Sequence, residues 1–167
     1  MVFFKITKTE TINTSIKYDC MLSKKSKYAI KALVCLAKNH ENEVPLRIAQ
    51  IAEQEKLPKK FLESILVELR NSGLVHSKMG ASGGYYLAKS PSEIYLSQII
   101  RLSGGPIALL PCVSLNFYES CEECEGESEC ALHDVMLEVR DATVEILSKT
   151  SLQDVVDRED RLKKLLE

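Results

Sequence analysis

A mainly α fold with one short β-hairpin, a long non-periodic loop and a long C-terminal helix is what this sequence predicts, on three observations. Apolar residues Ile48, Ile51, Ala52, Leu57, Leu62 and Ile65 are spaced as two short helices meeting at an angle. A glycine-rich turn, Gly80-Ala81-Ser82-Gly83-Gly84, separates two short runs suited to strands. Five ligand-type side chains, Cys112, Cys121, Cys124, Cys130 and His133, fall in the pattern C-x8-C-x2-C-x5-C-x2-H just ahead of a sustained helical stripe.

The first 20 residues carry a partly β-branched alternation without a partner hairpin, and are expected to be a disordered extension or a misassigned start. Ser23 suits the N-cap of a first helix reaching about Asn39, with Tyr28, Leu33, Leu36 and Ala37 inward and Lys24, Lys25, Lys27 and Lys31 turned to water. Cys35 lies inside it as a small buried hydrophobe. Val44, Pro45 and Leu46 make a short extended piece. A second helix covers Ile48 to Gln54, and Pro58 suits the first turn of a third that ends near Asn71. Ala52 is small enough for close crossing, so the pair reads as a helix-turn-helix. Lys56 stands where such a turn needs a left-handed residue, a strain of about 1 kcal/mol. Leu74 to Lys78 and Tyr85 to Ala88 flank the glycine turn as a wing, completing a winged helix-turn-helix domain over residues 21–90. Bare glycine amides and Lys78 would let the wing approach a phosphate, the alternative being that the glycines only solve a backbone geometry.

Residues 91–130 hold a short helix, Ser97 to Leu102, closed by Gly104 and Gly105, and then a ligand loop without periodicity. So long a structureless stretch needs a tie, which metal coordination would supply. From Ala131 to about Lys149 the pattern returns, with Leu132, Val135, Met136, Val139, Thr143, Ile146 and Leu147 on one stripe. That stripe can cover its own domain or the same helix of a second subunit. The second is favoured, making residues 131–167 a dimerisation helix with a C-terminal tail.

Charge supports this division. Net charge is −2 over the chain, but residues 22–90 carry twelve basic against six acidic residues, whereas residues 91–167 carry seven against sixteen. The front half is built for phosphate, unless both halves are merely solvated faces. No apolar run approaches the roughly 18 residues of a membrane span, and Met1 to Phe4 is too short for a signal peptide, so a cytoplasmic location is expected. Six cysteines in a reducing compartment read as ligands, sensors or core filling rather than disulfides. There is no phosphate loop, no catalytic carboxylate pair and no nucleophile with a base, so an enzyme is not expected.

Three stretches, MLSKKSKYAIKAL, LPKKFLESILVELRNSGLV and GASGGYYLAKSPSEIYLSQIIR, resemble the Rrf-two family of bacterial winged-helix transcription regulators, the likeness running from Met21 to about Val156. The resemblance implies a homodimer on double-stranded operator DNA, acting as a repressor, with no membrane and no small-molecule substrate. The third helix would enter the major groove, and the wing would touch the minor groove. The DNA-contact candidates are then Lys24 and Lys27; Pro58, Lys59, Lys60, Phe61, Glu63 and Ser64; and Lys78, Gly80, Ser82 and Gly83. Lys59 and Lys60 would meet phosphate or guanine. Glu63 matches a family glutamate linked to the choice between operator classes, or is an inconsequential surface residue. Where iron-sulfur members carry a wing arginine this chain has Met79.

Those members hold their cluster with three cysteines and a histidine, spaced C-x5-C-x5-C-x2-H. Cys124, Cys130 and His133 fit the last part, and Cys112 is the first ligand if an insertion is allowed. Either His133 completes the site, or Cys121 makes it all-cysteine. An iron-sulfur cluster is expected, 2Fe–2S ahead of 4Fe–4S, with structural zinc or redox-active free thiols as alternatives. Six glutamates between Glu119 and Glu129 oppose thiolate formation, which argues against a free-thiol sensor. A small electron carrier is the remaining alternative, although it would not need the basic domain.

Overall fold

The computed structural model describes residues 22–40, 44–80, 82–124 and 126–166; the extension expected over residues 1–20 lies outside them. Among the described residues are six α-helices and a two-stranded antiparallel sheet: α1 (Lys24–Lys38), α2 (Ile48–Gln54), α3 (Lys59–Asn71), β1 (Val75–Lys78), β2 (Gly84–Leu87), α4 (Leu96–Leu102), α5 (Ala131–Lys149) and α6 (Leu152–Lys164).

The core forms around α1 because nearly all of its second half is apolar or small. Residues 32 to 37 are all buried, with Leu33 completely so. Ser23 caps the helix, its Oγ accepting from the Ser26 amide at 3.0 Å. Ile51, Leu62, Ile65, Leu66 and Leu69 from α2 and α3 close on this helix. Cys35 is part of the same core, its thiol donating to Gln54 Oε1 at 3.1 Å. Burial pushes that thiol up to about 11, as expected of a core filler.

The helix-turn-helix is built as its spacing predicts, including the strained turn. Lys56 has φ +53°, the one non-glycine residue with positive φ among those described. The Leu57 amide bonds the Ala52 carbonyl at 2.8 Å across this turn. Pro58 differs from expectation by one position. Its ψ of 116° is extended, so it is the N-cap of α3 and not its first turn, with its carbonyl accepting from the Leu62 amide at 3.0 Å.

β1 and β2 pair in the register Val75 with Leu87 and Lys78 with Gly84, so Gly84, expected in the turn, begins the second strand. The extended piece before α2 joins this sheet: Leu46 and Tyr85 exchange amide bonds of 2.9 and 2.8 Å. A Cβ on Gly84 would lie 2.5 Å from the Leu46 carbonyl oxygen, so this bridge fits only against a glycine.

The C-terminal tail is also more ordered than expected. A second helix, α6, follows α5 after a sharp break at Thr150 and Ser151. Ser151 caps it, and the Asp154 carboxylate accepts in return from the Ser151 amide at 2.8 Å. The Leu152 amide bonds the Ile94 carbonyl at 2.8 Å, Leu152 is completely buried, and Glu159 pairs with Lys38 of α1 at 2.7 Å. The local signal for this helix is S-x-x-D at Ser151 to Asp154, a capping box followed by Val155 and Val156.

Candidate nucleic-acid interface and metal centre

The basic residues of α1 sort into two groups. Lys25 pairs with Glu68 at 2.6 Å and Lys31 with Glu55 at 3.4 Å, so both serve the junction of α1 with α2 and α3. Lys24 and Lys27 are exposed. On α3, Lys59, Lys60 and Glu63 are exposed beside Pro58. Phe61 lies edge-on to Tyr28, ring centroids 5.7 Å apart, and so links α3 to α1. The Ser64 hydroxyl donates back to the Phe61 carbonyl at 2.8 Å.

In the wing, Lys78, Gly80 and Ser82 are exposed at the tip, where Met79 is 95% exposed. Gly80 takes φ +104°, which favours glycine. Gly83 has a different part from the one expected. It is buried, and its amide donates to the Gly80 carbonyl at 2.9 Å, so it closes the turn and offers no amide to a phosphate. A side chain there would collide with the Lys78 carbonyl. His76 and Tyr86, a tilted ring pair at 5.6 Å, stand exposed across the strands.

The cysteines are positioned by the two ends of the loop. Cys112 sits in a single 3-10 turn, Pro111–Val113, whose Val113 side chain is buried. The Val113 carbonyl accepts from Arg140 Nη1 of α5 at 2.9 Å. Cys130 is the N-cap of α5, its Sγ accepting from the His133 amide at 3.4 Å. That amide bond, with a second from the Cys124 thiol, lowers the Cys130 pKa. The neighbouring Cys121 and Cys130 push the Cys124 thiol up to about 12. His133 faces elsewhere, with Nε2 3.6 Å from Glu127 Oε2. Glu127 also accepts from the Tyr118 hydroxyl at 2.7 Å, which raises the Tyr118 pKa.

The donor chemistry suits a soft metal, since three thiols, Cys121, Cys124 and Cys130, are near enough to shift one another's ionisation. They form a chain through the central thiol and not a closed cage: among the described residues no three His, Cys, Asp or Glu side chains converge as a ready ligand set. Sequence spacing does not reveal Arg140, Tyr118 or Glu127, because their partners are a remote carbonyl or a residue fixed by the loop's path.

On α5, Leu132, Val135, Val139 and Ile146 of the predicted stripe are exposed, and none of the helix is fully buried. An apolar groove of about 290 Å³ runs between α5, α4 and the segment from Pro106 to Leu109. No described helix is long and apolar enough to cross a membrane.

Comparison with known proteins gives a consistent result. The Rrf2 family model, described as an iron-dependent transcriptional regulator, matches residues 22–158. A helix-turn-helix-type rrf2-like transcriptional regulator of Rhodobacter capsulatus is 40% identical over 149 residues, covering 88% of this chain and 99% of the relative. The regulator IscR of Photorhabdus laumondii is 31% identical over 141 residues, 84% of this chain and 82% of its own. Among solved structures, CymR, the global cysteine regulator of B. subtilis, superposes with TM-score 0.67 at 34% identity, over 81% of this chain and 95% of that one.

Proposed function

Because the chain belongs to the Rrf2 family and is a DNA-binding transcriptional regulator, not an enzyme, we propose that it is a cytoplasmic homodimeric repressor whose grip on operator DNA depends on an iron-sulfur cluster. The observation that carries this is the placement of Cys130 as the N-cap of α5, with Cys124 and Cys121 as its neighbours, on a helix whose apolar stripe is partly uncovered.

In this reading Pro58, Lys59, Lys60 and Glu63 meet the major groove, with Lys24, Lys27, Lys78, Gly80 and Ser82 on flanking phosphates. Phe61 and Ser64 act from behind, seating α3. A second copy covers the α5 stripe and the adjoining groove, which gives the two recognition helices the two-fold relation that operator half-sites need.

The ligands are Cys121, Cys124 and Cys130 with Cys112 as the fourth, because His133 is turned toward Glu127. A bound 2Fe–2S cluster would supply an oxidation-sensitive cross-link between the loop and α5. Without it the cysteines lie on a loop that carries Glu122, Glu123, Glu127 and Glu129. Thiolates formed there would repel those carboxylates and loosen the loop. Arg140 keeps the Cys112 end on α5 regardless, so the part released is the stretch from Leu115 to Cys130.

Purification without oxygen, with visible absorption and iron, sulfide and zinc analysis, tests the reading. Broad absorption between about 320 and 460 nm with matching iron and sulfide is the expected result. A colourless protein with one zinc per chain would make the site structural. Equal affinity of metal-loaded and metal-free protein for one operator across a salt titration would refute cluster control.

A further inference from the structure

Three serine hydroxyls form a continuous chain between the DNA-facing end of α1 and the last turn of α4, where the ligand loop departs. Ser23 Oγ lies 2.9 Å from Ser26 Oγ, and Ser103 Oγ lies 2.8 Å from Ser26 Oγ and 2.6 Å from the Ile99 carbonyl. Ser26 is completely buried and Ser103 is 6% exposed. One hydroxyl has one proton. Ser103 donates to Ser26 Oγ, and Ser26 can in turn donate to Ser23 Oγ, which also accepts from the Ser26 amide at 3.0 Å. The chain then runs in one direction, from Ser103 at the end of α4 to the cap of α1.

The surroundings are shaped to keep this contact. Gly104, with φ +75°, turns the chain immediately after Ser103. A Cβ on Gly105 would stand 3.2 Å from Ser26 Oγ and 3.3 Å from Ile100 Cγ2. A larger residue at 105 would therefore press on the serine chain. Buried hydroxyls between two helices add little stability that apolar residues could not supply, but they fix one relative placement of the helices. The parts placed are the N-cap of α1 and two exposed side chains beside the serines, Lys24 next to Ser23 and Lys27 next to Ser26.

We propose that Ser103 and Ser26 are positioning residues for DNA binding: through the cap Ser23 they set the first turn of α1, and with it the phosphate contacts of Lys24 and Lys27. This rests on the reading of those two lysines as DNA contacts. Because Ser103 ends α4 at the start of the ligand loop, the same chain joins the loop's root to the DNA face.

The test uses the full chain and a fluorescein-labelled duplex of about 30 base pairs recovered by in vitro selection with this protein. Ser103→Ala and Ser26→Ala are each expected to weaken binding about fivefold, and the double variant no further, since both break one chain. The salt slope should become shallower by about one for each phosphate that the lysines no longer reach. Ser103→Thr, which keeps the hydroxyl, should restore both affinity and slope, whereas Ser103→Val should not. Thermal melting of each variant separates failed positioning from failed folding. Unchanged affinity and slope, additive effects in the double variant, or equal rescue by Thr and Val would overturn the proposal. A Lys24→Ala, Lys27→Ala pair decides the underlying reading separately: if it binds normally, those lysines are not DNA contacts, and if it binds weakly while the serine variants do not, the serine chain alone is refuted.

Discussion

Arg140 Nη1 donates to the backbone carbonyl of Val113 at 2.9 Å, so the longest helix holds the start of the ligand loop through a residue next to Cys112. Its neighbour Asp141 accepts from Nε at 2.8 Å. The guanidinium side chain is 13% exposed, and the carbonyl it meets belongs to a buried residue. Arg140→Ala should cost about 1.5–3 kcal/mol, the range for a hydrogen bond from a charged donor. In denaturant titration this would appear as a lower midpoint. Alkylation of Cys112 should accelerate while that of Cys121 does not; equal acceleration of both would mean general loosening and no latch.

Lys56→Gly should stabilise the chain by about 0.5–1 kcal/mol. Relief of the left-handed conformation at φ +53° outweighs the extra freedom glycine brings to the unfolded chain. The measurement is a denaturation midpoint at unaltered slope, and a fall in stability would show that the lysine side chain contributes more than its backbone costs.

Gly84→Ala should do the opposite. With the new methyl group 2.5 Å from the Leu46 carbonyl oxygen, the bridging segment at Leu46 must move away from Tyr85. A loss of about 2–4 kcal/mol is expected, in the range of other severe backbone or overpacking changes. Gly73→Ala is the control for generic glycine replacement, since its left-handed φ is strained but open space surrounds it.

Docking of α6 should weaken in acid. The Lys38 ammonium holds Glu159 below its ordinary value of 4.5, and the Ser151 hydroxyl and amide hold Asp154 below 3.8. Both groups have folded pKa values beneath their unfolded ones. Their contribution is therefore full above about pH 4.5 and is lost as pH falls through the folded values. Hydrogen exchange of residues 152–164 should rise over that window. In Glu159→Gln the rise should be smaller, because the pair is already absent.

Cys124→Ser should abolish metal binding, since Cys124 is the link between Cys121 and Cys130. His133→Ala should leave metal content unchanged and release Glu127. Loss of metal in His133→Ala with retention in Cys121→Ser would put the histidine in the place of Cys121.

The helices and the wing can be read from the residues alone, because their signals are local. Ser23 is a cap on its own evidence, the strain at Lys56 follows from turn geometry, and the apolar stripe of α5 is periodic over its whole length. The capping box at Ser151 was equally legible and marks α6, although a short polar helix after a long one reads easily as a tail. The remaining contacts emerge only in the folded chain, since they join residues far apart in sequence through groups that carry no pattern. Lys25 and Lys31, which the helical pattern turns to water, are tied into the core's edge only because Glu68 and Glu55 lie opposite them. Gly83 leaves the set of DNA candidates because its amide meets Gly80. Arg140 finds a backbone carbonyl, which every residue possesses, and Ser103 finds Ser26 across 77 positions. Periodicity tells which face of an element is buried, but which polar atom it meets there depends on how the elements cross, and that crossing is fixed only when the whole core closes.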